Sequence, residues 1–205
     1  MPQGSGRYMA WPATTRYGLS VAPGNLGLVQ DFLNTITEGT VAPPDLLATL
    51  SSAQEWADKV IEQWISIDDL GWAKTLPRLT ERDRKALLAF RDDLFEGLFG
   101  HSHSETVSGP GRDNHTYRPL MTVSAKGIEL RPDGEGWKYF ETALLLICHQ
   151  GQLEGILRRM KSCKSETCDA VFFDRSNNNS AVWHDVKLCG NRANVRAFRE
   201  RSAAN

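Results

Sequence analysis

Three of the chain's four cysteines lie in its last fifth, with a histidine among them: Cys163, four residues, Cys168, fifteen residues, His184, four residues, Cys189. Two pairs of N/S donors joined by a short loop can close a tetrahedral Zn2+ site, with Zn–S of about 2.3 Å and Zn–N of about 2.0–2.1 Å. Three thiolates and one imidazole leave no coordination position for water or substrate, so the zinc expected here is structural. The spacing of four is looser than the common spacing of two, and His184 alone would equally suit a surface position. In a reducing cytoplasm, clustered cysteines read as ligands rather than as disulfides.

A second group of residues could contact a polyanion. From Gly151 onward ten Lys/Arg stand against six Asp/Glu, which makes this tail +4 and the remainder −5 within a net charge of −1. If the chain is helical after Gly190, Arg192, Arg196 and Arg199 fall within about 60° of one another at 3.6 residues per turn. Such a row suits phosphate or guanine-edge contacts. Val195 and Phe198 lie to one side and could anchor the helix. A solvated helix face, or salt bridges to the acidic body, would use the same arginines differently.

A third group lies in the body. Arg91 interrupts the stripe of Leu87, Leu94 and Leu98, where a core-facing helix should present an apolar residue. A buried guanidinium needs a partner. Asp31 could supply it, or an anionic small-molecule effector held near Asn34 and Thr35. Cys148, inside "LLLICHQ", reads as an inert buried thiol. No Gly-rich phosphate loop, nucleophile elbow or paired-carboxylate motif occurs, so no catalytic site is assembled in the sequence.

The segment "WHDVKLCGNRANVRAFRER" resembles the CGNR-type zinc finger, a C-terminal module of bacterial proteins regarded as transcription regulators. The family pattern runs Cys-x4-Cys, an aromatic-rich strand with an Asp and a Ser, a Trp-Cys step, and Cys-Gly-Asn-Arg. Here these positions are Cys163, Cys168, Phe172, Asp174, Ser176, Trp183, and Cys189, Gly190, Asn191, Arg192, with His184 where the family usually has a third cysteine. "LGLVQDFLNTIT" is similar to the Phe-x-Asn-Thr helix of the ABATE-like domain that usually precedes this finger, and "LTERDRKALLAFRDDLFEGL" to that domain's Leu-Arg helix. The resemblance implies a helical domain sensing a small molecule and a tail that binds DNA. The chain departs from its relatives in "SNNNSAVW" and "ANVRAFRER", where several basic residues are missing, so DNA binding should be weaker. A small-molecule-binding protein or enzyme of a specialised pathway, with the finger kept for folding or protein docking, is the competing expectation.

The elements that must position these groups can be read from periodicity. Leu26, Val29, Leu33 and Ile36 predict a helix over residues 24–37, and Pro43 and Pro44 a short helix after it. Trp56, Val60, Ile61 and Trp64 form one stripe of a helix capped by Ser51 or Ser52. Thr80 with Asp83 resembles a capping box opening a helix to Phe99. Residues 100–116 read as a loop, "RPLMTVSA" and "GIELRP" as a hairpin, and residues 137–160 as a buried helix weakened at Gly151 and Gly155. The expected fold is mainly α with a small β-hairpin (α+β). Its expected parts are an N-terminal extension (1–23), a helical domain (24–160) and a zinc-binding module (161–205). No apolar run approaches the roughly 18 residues of a membrane span, and the N-terminus lacks the order of a signal peptide, so a cytoplasmic protein, with homodimerisation open, is expected.

Overall fold

The computed structural model describes residues 11–36, 43–100, 116–125, 127–166, 168–192, 194–196 and 202. Four helices build the body: α2 (Leu26–Leu33), α3 (Leu50–Ile67), α4 (Glu81–Phe99) and α5 (Trp137–Leu153), preceded by a single turn, α1 (Pro12–Thr15). Each of the four gives an aromatic ring to one cluster. Phe32 lies 5.9 Å from Trp56, 5.7 Å from Phe90 and 5.8 Å from Phe140, centroid to centroid. Pairs at these separations add about 0.5–1.5 kcal/mol each beyond the area they bury.

The helix ends follow the sequence where capping chemistry is local. Thr80 and Asp83 form a reciprocal capping box at the start of α4, which ends at Gly100 in a left-handed conformation (φ 87°) that favours glycine. Helix α3 is capped two or three residues earlier than expected: Thr49, with Ser52 at the third helical position, closes the box. The short helix expected after Pro43 does not form. Asp45 instead accepts a hydrogen bond from the Leu47 amide (2.7 Å), a local turn that competes with helix.

Strands β1 (Leu120–Ser124) and β2 (Gly127–Arg131) form the expected antiparallel hairpin, with Met121 opposite Leu130 and Val123 opposite Ile128. A second hairpin, not expected, pairs β3 (Met160–Ser162) with β4 (Val171–Phe173). Between them and α5 the chain breaks at Gly155 (φ 70°), within the stretch the glycines had marked.

Segments on either side of the four helices pack into the body. Residues 11–22 do not extend away from the body: Trp11, Ala13 and Ala22 are buried in its core. The Thr14 amide donates to the Asp31 carboxylate at 2.7 Å, and Arg16 donates to the carbonyls of Asn34 (2.7 Å) and Pro44 (2.6 Å). Gly27 makes room for this segment, since a Cβ there would meet Val21 at 2.9 Å. On the other side, Met160 and Val171 of the second hairpin also belong to the body core. The loop expected over residues 100–116 lies, apart from its ends, outside the described residues.

Candidate metal centre

The terminal module is a set of short turns that converge on four side chains. Strand β3 delivers Cys163, whose amide donates to the Ala170 carbonyl (3.0 Å), while Cys168 N–H closes a turn on Ser165 O (2.9 Å). Lys164 N–H to Val182 O (3.0 Å) brings the later segment alongside, placing His184 next to the first pair. Asp185 then caps a π-helical turn, Val186–Gly190, by accepting from the amides of Lys187 (2.7 Å) and Leu188 (3.0 Å), and that turn returns Cys189. Gly190 follows because a Cβ there would press on the Trp183 ring at 3.3 Å.

The result brings Cys163, Cys168, His184 and Cys189 together, with their donor atoms within 4.8 Å of one another. His184 turns its Nδ1 inward, 3.3 Å from Cys168 Sγ and 3.7 Å from Cys189 Sγ. Tetrahedral zinc at the bond lengths above would hold S and N about 3.6 Å apart. All three cysteines are buried and unbridged, as metal ligands would be. The thiols oppose one another's ionisation: the hydrogen bond from Cys168, joined by His184, lowers Cys163. Cys168 is raised, chiefly by that same bond, and Cys189 is raised by burial and by the Cys163 charge. A cation at the centre would relieve this repulsion and favour all three thiolates. Donor set, distances and protonation chemistry together fit a metal ion.

Sequence reasoning named Asp174 and Ser176 as pattern positions but not the polar hub they build in support of the site. Asp174 is 1 % exposed and accepts from Lys161 Nζ (2.7 Å), Ser176 N–H (2.8 Å) and Ala181 N–H (2.9 Å). Burial alone would raise its carboxyl, but these donors outweigh it and hold it below the usual carboxylate range. Lys161 also reaches the carbonyls of Asn179 and Ala181, so the loop that leads to Trp183 and His184 is tied to β3. The signal available in the sequence was Asp174 two residues before Ser176, the spacing of a side-chain turn.

The body residues expected to meet an effector are committed internally. Arg91 pairs with Asp45, not with Asp31, in a two-pronged contact of 3.0 and 2.9 Å, and donates to Thr35 Oγ1 at 3.1 Å. Asp31 receives Thr14 N–H and Trp56 Nε1–H instead. Asn34 donates to the Val171 carbonyl (2.9 Å) and accepts its amide (2.8 Å), so its side chain pairs with β4 as another strand would. Gln30 adds a bond to the same carbonyl at 3.1 Å. Asn34 and Gln30 therefore join α2 to the terminal hairpin.

Backbone at residues 191–192 and 194–196, past the π-turn, is helical, and Arg192 and Arg196 are both exposed. Arg196 forms an ion pair with Glu166 on the module itself. Val195, expected as an anchor, is 49 % exposed. Arg199 and Phe198 lie outside the described residues. No helix among the described residues is long and apolar enough to cross a membrane.

Residues 159–202 match the family model of the CGNR zinc finger. No curated protein matches the chain.

Proposed function

We propose that the chain is a cytoplasmic regulator whose zinc-stabilised tail binds DNA and whose helical body, of the ABATE-like type suggested by its Phe-x-Asn-Thr and Leu-Arg segments, responds to a small-molecule effector. Zinc would be held by Cys163, Cys168, His184 and Cys189, and its contribution is to fix the fold, since the four ligands leave no open position. The observation that carries the reading is the placement of Arg192 and Arg196 at the surface, in helical backbone that leaves directly from Cys189. The partner of Arg196, Glu166, is itself 70 % exposed at its side chain, and such a pair exchanges for a phosphate at little cost. Arg199 would extend the same face. Three phosphate contacts are few for tight binding, so a working regulator would act as a homodimer with two tails on one duplex.

The test is a selection from random duplexes at moderate salt, using wild type and a variant with Arg192, Arg196 and Arg199 all changed to Ala. Wild type should enrich a sequence, and each lost phosphate contact should lower the magnitude of the salt slope by about 0.9. The triple variant should bind no duplex while retaining its zinc, since none of the three is a ligand. An unenriched pool from wild type would sink the DNA reading.

The attachment of β4 to α2 through Asn34 and Gln30 favours a second reading. In it the module is a fixed part of a small-molecule-binding protein or enzyme, and serves folding or protein docking. That reading expects zinc content and body stability to survive the triple arginine change with no nucleic-acid phenotype.

A further inference from the structure

We infer that a cavity between α3 and the segment leading into α4 is a binding site for a small organic cation. This gives the effector half of the reading above a place and a ligand class, and it does not depend on whether the tail binds DNA. The cavity has a volume of about 290 Å3, close to the lower end of small-molecule sites, which begin at about 300 Å3. Ala57, Ile61, Ile65, Leu76 and Trp137 make its apolar part. The α3 contributors recur at spacings of three and four, so they form a single face beside the core-facing stripe of Trp56, Val60 and Trp64.

Both walls are held in place without a ligand. Gln54 accepts the Leu79 amide at 2.7 Å and donates to Asp58 Oδ1 at 2.6 Å, so one side chain ties α3 to the opposite segment. Trp137 donates its indole N–H to the Pro77 carbonyl at 3.1 Å, which fixes the ring that closes the far side. The cavity is therefore preformed, and ordering it costs a ligand little.

Charge selects the ligand. Asp58 and Glu62 stand on successive turns of α3 at the rim, both exposed, and the lining holds no Lys or Arg. Among the described residues neither carboxylate has a recorded ion pair. An apolar floor beneath two carboxylates suits a molecule with a hydrocarbon body and one ammonium head, and repels an organic anion of the same shape. A single-ring arylalkylamine meets these requirements.

The experiment is calorimetric titration of the zinc-loaded full chain, without DNA and at low salt, with phenethylamine, 2-phenylethanol and phenylacetate. The amine should bind and the alcohol should bind roughly two- to fivefold more weakly, the range expected of exposed ion pairs. Phenylacetate should be weaker still. The preference for the amine over the alcohol should disappear in 0.5 M salt, by screening, and in the double variant Asp58→Asn with Glu62→Gln, which keeps the Gln54 contact. Ile65→Trp, at an exposed rim position, should fill the mouth and abolish binding of both. No saturable heat with the amine up to about 10 mM, equal affinity for amine and alcohol, or a preference unchanged in the double variant would each overturn the site. None of these results bears on duplex selection, so the two readings fail separately.

Discussion

In the body, Phe32, Trp56, Phe90 and Phe140 hold four helices together by ring contact, whereas the buried cluster of the terminal module consists of Cys163, Cys168, Ala170 and Cys189. The first is held by contact among its own apolar side chains. The second buries three thiols whose charges oppose one another, with Tyr17, Leu19 and Trp183 as partial cover. Removal of a metal should therefore affect the two regions unequally. They are also joined, because Asn34 of the body satisfies both backbone groups of Val171. The sharpest tests ask how far a loss in one region travels through that joint.

The largest effect is expected for Cys189→Ser. Structural zinc contributes on the order of 10 kcal/mol to such small modules, so metal content should fall well below one equivalent. Protease cleavage should then begin after residue 162, while far-UV circular dichroism keeps most of the helical signal. Loss of that signal along with the zinc would show that the body does not stand alone.

Arg91→Ala tests the body at its least apolar point. It strands Asp45 and Thr35, and chemical denaturation should register a loss of up to about 3 kcal/mol, the figure for a fully buried pair, lessened by the partial exposure of Asp45, with zinc content unchanged. Arg91→Met, which refills the volume, should recover part of that loss. Full recovery would mean that the guanidinium was spacing rather than pairing.

Acid should separate the regions by sign. Burial raises the Asp31 carboxyl to about 6, against the hydrogen bonds from Thr14 and Trp56. A raised acid binds its proton more tightly when folded, so this contribution is present at pH 4 and lost as pH rises through about 6, a change of roughly 2–3 kcal/mol. Asp174 is shifted the other way, so its contribution is present at neutral pH and lost as pH falls. Between pH 7 and pH 4 the body should gain resistance to urea, read by tryptophan fluorescence, while protease sensitivity of residues 163–189 increases. Asp31→Asn should flatten the body's curve and leave the module's unchanged.

The smallest effect is expected for Asn34→Ala, at about 2 kcal/mol, because the Val171 amide loses its acceptor while the carbonyl keeps Gln30. Its value lies in location. If zinc affinity falls together with body stability, the joint transmits. If only one changes, the regions are independent despite their contact.

What the sequence determined by itself was local. The four clustered donors, the stripe of Trp56, Val60 and Trp64, the Thr80–Asp83 box, the β1–β2 hairpin and the break near Gly155 each follow from residues a few positions apart, or from donor types that share one chemistry. What tertiary structure decided lies at separations that leave no period in the chain. Arg91 needed a carboxylate, and nothing local could choose Asp45, 46 residues away, over Asp31, which Thr14 and Trp56 already occupy. Asn34, read with Thr35 as a neighbour of an anionic effector, pairs with a strand 137 residues later. Residues 11–22 carry too short a pattern to announce that they fill the groove over Gly27. A buried polar group states only that it must be satisfied; its partner is set by which backbone and side-chain groups the packed helices bring within about 3 Å.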